Sequence, residues 1–255
     1  MTSNLLRHKD EVLARIQRRR VVLFLDFDGT IAPIADAPDQ VVVSRQVRSS
    51  LERIAAITPL AVVSGRALDD LRERVGISGI IYAGNHGAEI MIGEKVLRNN
   101  GTGEMIVSLQ SFLDALRSGM RATHGVLIED KGITASVHFR KVDPSREGEV
   151  LRIFWDVARD YAGEFRITTG KKVLEIRPRN AWNKGDAVKR IVEQQGGDVI
   201  ALYVGDDTTD EDAYRAIREN GISVSIGENA EADYYLRSQD EVGPFLEWIE
   251  GVLSI

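Results

Sequence analysis

Asp26-Phe27-Asp28-Gly29-Thr30 stands directly after the apolar run Val21-Val22-Leu23-Phe24-Leu25. Two carboxylates one residue apart, delivered by a buried strand into a Gly-Thr turn, repel each other unless a cation lies between them. A metal ion and a phosphate group would supply that setting. The other reading of the pentapeptide alone is a strand-end turn whose aspartates accept backbone hydrogen bonds. A calcium loop of the EF-hand type is excluded, because Ala37 stands where its closing glutamate is required. A second constellation, Gly205-Asp206-Asp207-Thr208-Thr209-Asp210-Glu211-Asp212, places five acidic residues in seven positions. Helix capping uses one or two such residues. The surplus suits Mg²⁺, which takes oxygen ligands in octahedral geometry and keeps waters or a phosphate oxygen. Ser64 follows an apolar run at Val63 and opens a helical pattern. It is either an N-cap or the hydroxyl of an anion site built with helix-start N–H groups. Lys184, in Asn183-Lys184-Gly185, begins another helix, where a cation is unfavourable unless an anion or solvent faces it. His86, in Asn85-His86-Gly87, reads on its own as a hydrogen-bonded structural residue.

The elements that must position these groups are short apolar runs at 21–27, 60–63, 80–83, 199–204 and 222–226. Between most of them lie helical patterns with apolar spacing of three and four, as in Val47, Leu51, Ile54 and in Leu68, Leu71, Val75. The alternation predicts an α/β fold: a Rossmann-like parallel sheet core with helices on both faces. Ligands of such sheets bind at the carboxyl ends of the strands, where Asp26, Ser64, Asn85 and Asp206 all arrive. The middle of the chain has a different pattern. A helix from 104 (Ile106, Leu109, Leu113, Leu116) leads to strands at 126–130 and 134–140, and a second helix lies near 150–161. A hairpin follows, 165–168 with 172–177, turning at Thr169-Gly170. This αββαββ order predicts an inserted α+β cap, giving core 1–100, cap 101–178 and core 179–255, with hinges at 99–103 and 178–181. Alternation groups Thr134, Ser136, His138 and Arg140, then Glu129 with Lys131, then Lys171, Val173, Glu175 and Arg177. One side of the cap sheet is therefore rich in charge, whether as a binding surface or as a solvated face.

Composition narrows the classes of function. With 43% hydrophobic and 28% charged residues, the 255-residue chain is an ordinary globular protein large enough for a core domain carrying an insert. It has no cysteine, which excludes disulfides, thiolate metal sites and cysteine nucleophiles. Its four histidines show no zinc-ligand spacing. A net charge of -6 argues against nucleic acid as a partner. No apolar run approaches the roughly 18 residues of a membrane helix, and the N-terminal region lacks the pattern of a signal peptide. The expectation is a cytoplasmic monomer without nucleic-acid or membrane partners.

Taken in order, Asp26-x-Asp28-Gly-Thr, Ser64, Lys184 and Gly205-Asp206-Asp207-x-x-Asp210 resemble the motifs of the haloacid dehalogenase-like phosphatases. More narrowly, the chain is similar to the trehalose-6-phosphate phosphatases, at residues 26–38 (DFDGTIAPIADAP), 63–66 (VSGR), 83–90 (AGNHGAEI), 129–132 (EDKG), 138–140 (HFR), 174–178 (LEIRP), 183–185 (NKG) and 206–211 (DDTTDE). Trp182 stands where a smaller residue is expected. The resemblance implies Mg²⁺-dependent hydrolysis of a sugar phosphate, trehalose 6-phosphate, through an aspartyl-phosphate. Asp26 would be the nucleophile and Asp28 the acid and base, with Ser64 and Lys184 facing the phosphoryl oxygens. Mg²⁺ would be held by Asp26, the Asp28 main-chain carbonyl and Asp206, supported by Asp207 and Asp210. Ser64, Gly65, Arg66, Asn85 and His86 would line the phosphate end, and Glu129, Lys131, His138, Arg140, Lys171, Lys172 and Glu175 are the implied sugar contacts. Of the two adjacent lysines, Lys171 shares its face with Glu175 and is the better candidate. Alternatives are a phosphatase of sucrose phosphate or a mannosyl-glycerate phosphate, a phosphosugar mutase, and a receiver-like phospho-acceptor, which lacks a large cap.

Overall fold

A computed structural model describes residues 2–34, 41–99 and 102–254. Positions 35–38 of the first motif segment and positions 100 and 101 of the expected hinge lie outside the described residues. The elements, in order, are β1 (Ser3–Asn4), α1 (Lys9–Ile16), β2 (Arg20–Asp26), α2 (Arg45–Ala55), β3 (Leu60–Val63), α3 (Leu68–Val75), β4 (Ile81–Gly84), β5 (Glu89–Ile92) and β6 (Lys95–Arg98). Then come α4 (Thr102–Gly119), β7 (Leu127–Asp130), β8 (Ala135–His138), α5 (Glu147–Ala158), β9 (Phe165–Gly170) and β10 (Val173–Pro178). The last are α6 (Lys184–Gln195), β11 (Val199–Gly205), α7 (Glu211–Ile217), β12 (Gly221–Ile226), β13 (Tyr234–Leu236) and α8 (Val242–Leu253). The chain divides into two compact units, Met1–Leu97 with Trp182–Ile255, and Arg98–Ala181.

In the first unit the strands pair in the order β1-β13-β12-β11-β2-β3-β4-β5-β6. Pairing is parallel from β1 to β4 and turns antiparallel between β4 and β5. Alternate residues of β2 feed two cores. Val21, Leu23 and Leu25 pack with Val12 of α1, Leu51 and Ile54 of α2, Leu71 of α3 and Phe245 of α8. Val22 and Phe24 pack with Ala187, Val188 and Ile191 of α6 and with Ala213, Tyr214 and Ile217 of α7. Helices therefore cover both faces, and a strand buried on both sides must be apolar at every position, which is why these runs are continuous. The register Val204↔Leu25, Asp26↔Val63 and Val63↔Ala83 brings β11, β2, β3 and β4 to an end together. Asp206, Asp26, Ser64 and Asn85 accordingly leave the sheet at one edge. Trp182, the unexpected large residue, packs against the second core and carries the Arg190 guanidinium 3.9 Å from its ring centroid.

The second unit has an antiparallel sheet of order β7-β8-β10-β9. One face, with Ala135, Val137, Leu174 and Ile176, packs on Leu109, Phe112, Leu113 and Leu116 of α4 and on Val150 and Phe154 of α5. Two details differ from the sequence expectation. The β9–β10 hairpin turns at Lys171-Lys172, not at Thr169-Gly170, because Gly170 still pairs with Val173 and Lys172 takes the left-handed conformation (φ 63°). Strand β8 ends at His138, so Arg140 lies in the following turn and is exposed. No helix among the described residues is long and apolar enough to cross a membrane.

Candidate active site

Lys184 opens α6 behind an Asn183–Asp186 capping box, and its ammonium is buried. A cation at a helix N-terminus opposes the helix dipole. Two carboxylates resolve that conflict, since Nζ lies 2.6 Å from Asp26 Oδ1 and 2.6 Å from Asp210 Oδ1. Burial pulls the Lys184 pKa down, but Asp210 and Asp26 outweigh it and hold the ammonium charged. The Tyr203 hydroxyl donates to Asp210 Oδ1 at 2.6 Å, and the Asp207 N–H donates to Asp210 Oδ2 at 2.9 Å. Asp210 is thus a fixed anchor, fully buried among its donors.

The acidic run after β11 separates by task. Asp207 caps the turn that follows, accepting from the Thr208 N–H, so the capping reading holds for this one residue. Glu211 and Asp212 pair with Arg215 on the surface. Asp206 turns inward. Its Oδ1 is buried with no hydrogen-bond partner among the described residues, and it offers an oxygen within 4.8 Å of oxygens from Asp26 and Asp210. Burial, then the Asp210 charge, raises the Asp206 pKa to about 6. Burial, reinforced by Asp210 and Asp206 and opposed by Lys184, pushes Asp26 well above the usual carboxylate range. Two carboxylates thus meet one ammonium, and Asp206, with one buried oxygen left without a partner among the described residues, completes a cluster of three. An all-oxygen donor set short of positive charge fits a hard divalent cation.

Gly29 makes room for this arrangement. Its φ is 81°, and a Cβ there would come within 2.0 Å of Asp206 Oδ2. Gly29→Ala is expected to displace the Asp206 carboxylate and weaken divalent-cation binding by about tenfold or more, read by following thermal unfolding as Mg²⁺ is titrated. An unchanged Mg²⁺ response would show that Asp206 does not need this approach.

Asp28 faces a different partner. Arg66 grips it with both arms, Nε to Oδ2 at 2.8 Å and Nη2 to Oδ1 at 2.6 Å. Ser64 is buried, and its Oγ accepts the Arg66 N–H at 3.2 Å. It is not the N-cap of α3, a position that Ala67 holds. The Ser64 carbonyl accepts the His86 N–H at 2.8 Å, and the Arg66 carbonyl accepts the Asn85 N–H at 2.7 Å, tying the loop after β3 to the loop after β4. Asn85, His86 and Gly87 all have positive φ, and the Asn85 amide donates to Glu89 Oε2 at 2.7 Å in a buried pair. This left-handed turn lays the His86 ring over Gly65, where a Cβ would meet Cε1 at 2.4 Å. Its consecutive positive φ values had one sequence signal, Gly87.

In the inserted unit, a polar network forms on the sheet face opposite its core. His138 Nε2 and Glu129 Oε2 are 3.0 Å apart, and the Ser136 hydroxyl donates to Glu175 Oε1 at 2.9 Å. Lys131 Nζ lies 3.9 Å from Glu129 and 3.7 Å from Glu175. The His138 hydrogen bond, opposed by burial and aided by Lys131, holds Glu129 below the usual range. Arg140 and Lys171 lie in turns beyond the strand ends. Lys172 pairs with Glu147 and lies 6.0 Å from the Phe139 ring centroid.

The chain is similar to known proteins over most of its length. A family model described as trehalose-phosphatase matches residues 24–240. Trehalose-phosphate phosphatase B of Arabidopsis thaliana is 33% identical over 93% of this chain and 68% of its own length. A probable trehalose-phosphate phosphatase H from the same plant is 35% identical, over 93% and 74%. Among solved structures, the C-terminal domain of C. albicans trehalose-6-phosphate phosphatase superposes with a TM-score of 0.82 at 21% identity, covering 99% of each chain, a likeness of fold.

Proposed function

Because this chain belongs to the trehalose-phosphatase family, we propose that it hydrolyses trehalose 6-phosphate to trehalose and phosphate, with Mg²⁺ as its cation. The observation that carries the reading is the cluster of Asp26, Asp206 and Asp210, two of them paired with Lys184, at the carboxyl edge of a parallel sheet. A carboxylate of Asp26 attacks phosphorus, the bond from phosphorus to the sugar oxygen breaks, and that oxygen takes the proton of Asp28. Asp28, now ionised, takes a proton from water as the water oxygen attacks the aspartyl-phosphate, which frees phosphate and restores both side chains. Lys184 fixes the Asp26 rotamer and, with the Ser64 hydroxyl, meets charge on the phosphoryl oxygens. The Asp26 carboxylate, the Asp28 main-chain carbonyl and Asp206 would hold Mg²⁺, with Asp210 behind them and Asp207 occupied as the cap of the following turn, and the ion would supply positive charge to those same oxygens.

Gly65, Arg66, Asn85 and His86 shape the phosphate end by fixing the two loops beside Ser64. The network of Glu129, Lys131, His138 and Glu175 offers charged donors and acceptors suited to sugar hydroxyls, and Arg140 and Lys171 are its outlying members. A cysteine-free chain acting on a phosphorylated sugar fits the cytoplasm. Phosphate release from trehalose 6-phosphate, sucrose phosphate and a mannosyl-glycerate phosphate, each with Mg²⁺ and with a chelator, tests the reading. Release is expected from the first, only with Mg²⁺. Activity confined to another sugar phosphate would reassign the substrate. With Asp206 titrating at about 6, the Mg²⁺ concentration needed for half-activation is expected to rise about tenfold per pH unit below that value, as a proton competes with the cation.

A further inference from the structure

We propose that Asp70 is a positioning residue for the acid step, holding Arg66 so that the Arg66 fork orients the carboxyl of Asp28. The inference rests on the assignment of Asp28 as the proton donor. Asp70 lies in the first turn of α3 and does not itself reach Asp28. Arg66 spans the two, with Nε and Nη2 on Asp28 and Nη1 on Asp70 Oδ2 at 3.0 Å. The other Asp70 oxygen accepts Arg74 Nε at 2.8 Å, and Arg74 Nη1 donates to the Val41 carbonyl at 3.2 Å. The result is a chain of alternating charge from the backbone at Val41 to the reacting carboxyl.

Three features make this more than a helix-surface ion pair. An exposed Arg-Asp pair four residues apart is worth only a few tenths of a kcal/mol, yet here the Arg66 side chain is only 10% exposed. A guanidinium is planar, so fixing all three nitrogens fixes its plane. Its third face is also defined, because Cζ lies 5.2 Å from the centroid of the Phe27 ring, between the two catalytic aspartates in sequence. Without Asp70, Arg66 would keep Asp28 as its charged partner but lose the Nη1 bond to Asp70 that helps to fix its plane. A proton donor misplaced by about 1 Å loses on the order of 10²-fold in rate.

The test must separate positioning from simple support of the fold, and the leaving group provides that separation. A sugar alkoxide must be protonated as it leaves. In the analogue of trehalose 6-phosphate with sulfur at the bridging position, the sugar leaves as a thiolate and needs no proton. The sugar is the same in both, so recognition cancels, and the ratio of the two kcat/KM values is independent of how much of a preparation is folded. The chain contains no cysteine, so a thiol reagent reads the released thiol without background.

For Asp28→Asn, kcat/KM on the oxygen ester is expected to fall about 10²- to 10⁴-fold, and for Asp70→Asn about 10- to 100-fold. On the sulfur ester Asp70→Asn should remain within about fivefold of the parent protein, and Asp28→Asn should lose less than on the oxygen ester, since the departing thiolate needs no proton while the attack of water still needs its base. Asp70→Glu, which keeps the charge, should recover part of the oxygen-ester rate. Equal losses on both esters for Asp70→Asn, or no loss on either, with Asp28→Asn still selective, would overturn the role of Asp70 alone. Equal losses for Asp28→Asn would remove the acid assignment and this inference with it. A parent protein that hydrolyses neither ester would instead overturn the substrate reading.

Discussion

Asp26→Asn is expected to lower turnover of trehalose 6-phosphate by about 10⁴-fold or more while making the metal-free protein more stable at neutral pH. The loss follows from chemistry, since an amide oxygen is a poor nucleophile toward phosphorus and its adduct cannot be released as a carboxylate. The gain follows from burial. Asp26 is 4% exposed, and its pKa is driven well above the ordinary 3.8 by desolvation, with Asp210 and Asp206 adding to the shift and Lys184 opposing it. A carboxyl whose folded-state pKa exceeds its unfolded value contributes nothing unfavourable below pH 3.8. Above that it destabilises the fold, increasingly until the pH passes the folded value. An isosteric neutral side chain removes this penalty, and Lys184 keeps Asp210 as its partner. Denaturant midpoints of the two proteins, measured without metal, should therefore coincide near pH 3.5 and separate in favour of Asp26→Asn as the pH rises. Turnover above about 1% of the parent rate would exclude Asp26 as the nucleophile.

The same burial explains what the sequence could and could not disclose. A strand covered on both faces has little room for polar groups, so β2, β3, β4 and β11 announce themselves as apolar runs, and the polar residue that follows each of them marks the binding edge. The short β1, β5, β6 and β13 carry no such run. The hairpin turn was expected at Thr169-Gly170 because glycine is the strongest local turn signal. The structure instead places Lys172 in the left-handed region and lets Gly170 pair within the strand, a choice set by cross-strand register. Five clustered acids pointed to a cation, but only the fold separates capping Asp207 from inward Asp206 and anchoring Asp210. Asp70 was the least legible. At four residues from Arg66 and four from Arg74 it has the spacing of a solvent-exposed helix pair, and only the reach of Arg66 back to Asp28, 38 positions earlier, gives it another meaning.

Lys184→Met should be the most destabilising single change in the site, lowering the unfolding free energy at neutral pH by about 3–5 kcal/mol and turnover by about 10²- to 10³-fold. Methionine nearly preserves the volume but leaves Asp26 and Asp210 buried without the ammonium that each meets at 2.6 Å. Lys184 has a folded-state pKa above its ordinary 10.5, so its stabilising contribution is complete below pH 10.5 and is lost only as the pH climbs through the folded value. The whole contribution is therefore present at pH 7. In the variant the gap to the parent protein should narrow as the pH falls, because Asp26, whose pKa stands well above the ordinary carboxylate range, sheds its charge by taking a proton. Mg²⁺ should narrow it too, because a divalent cation can approach carboxylates that no longer face an ammonium, and binding to the folded state alone raises stability. Turnover should not follow, since the charge that met the phosphoryl oxygens is gone from the opposite side. Mg²⁺ that restored both stability and rate would mean that Lys184 serves only to neutralise Asp26 and Asp210, whereas restored stability with lost rate assigns the lysine a separate role at the phosphate.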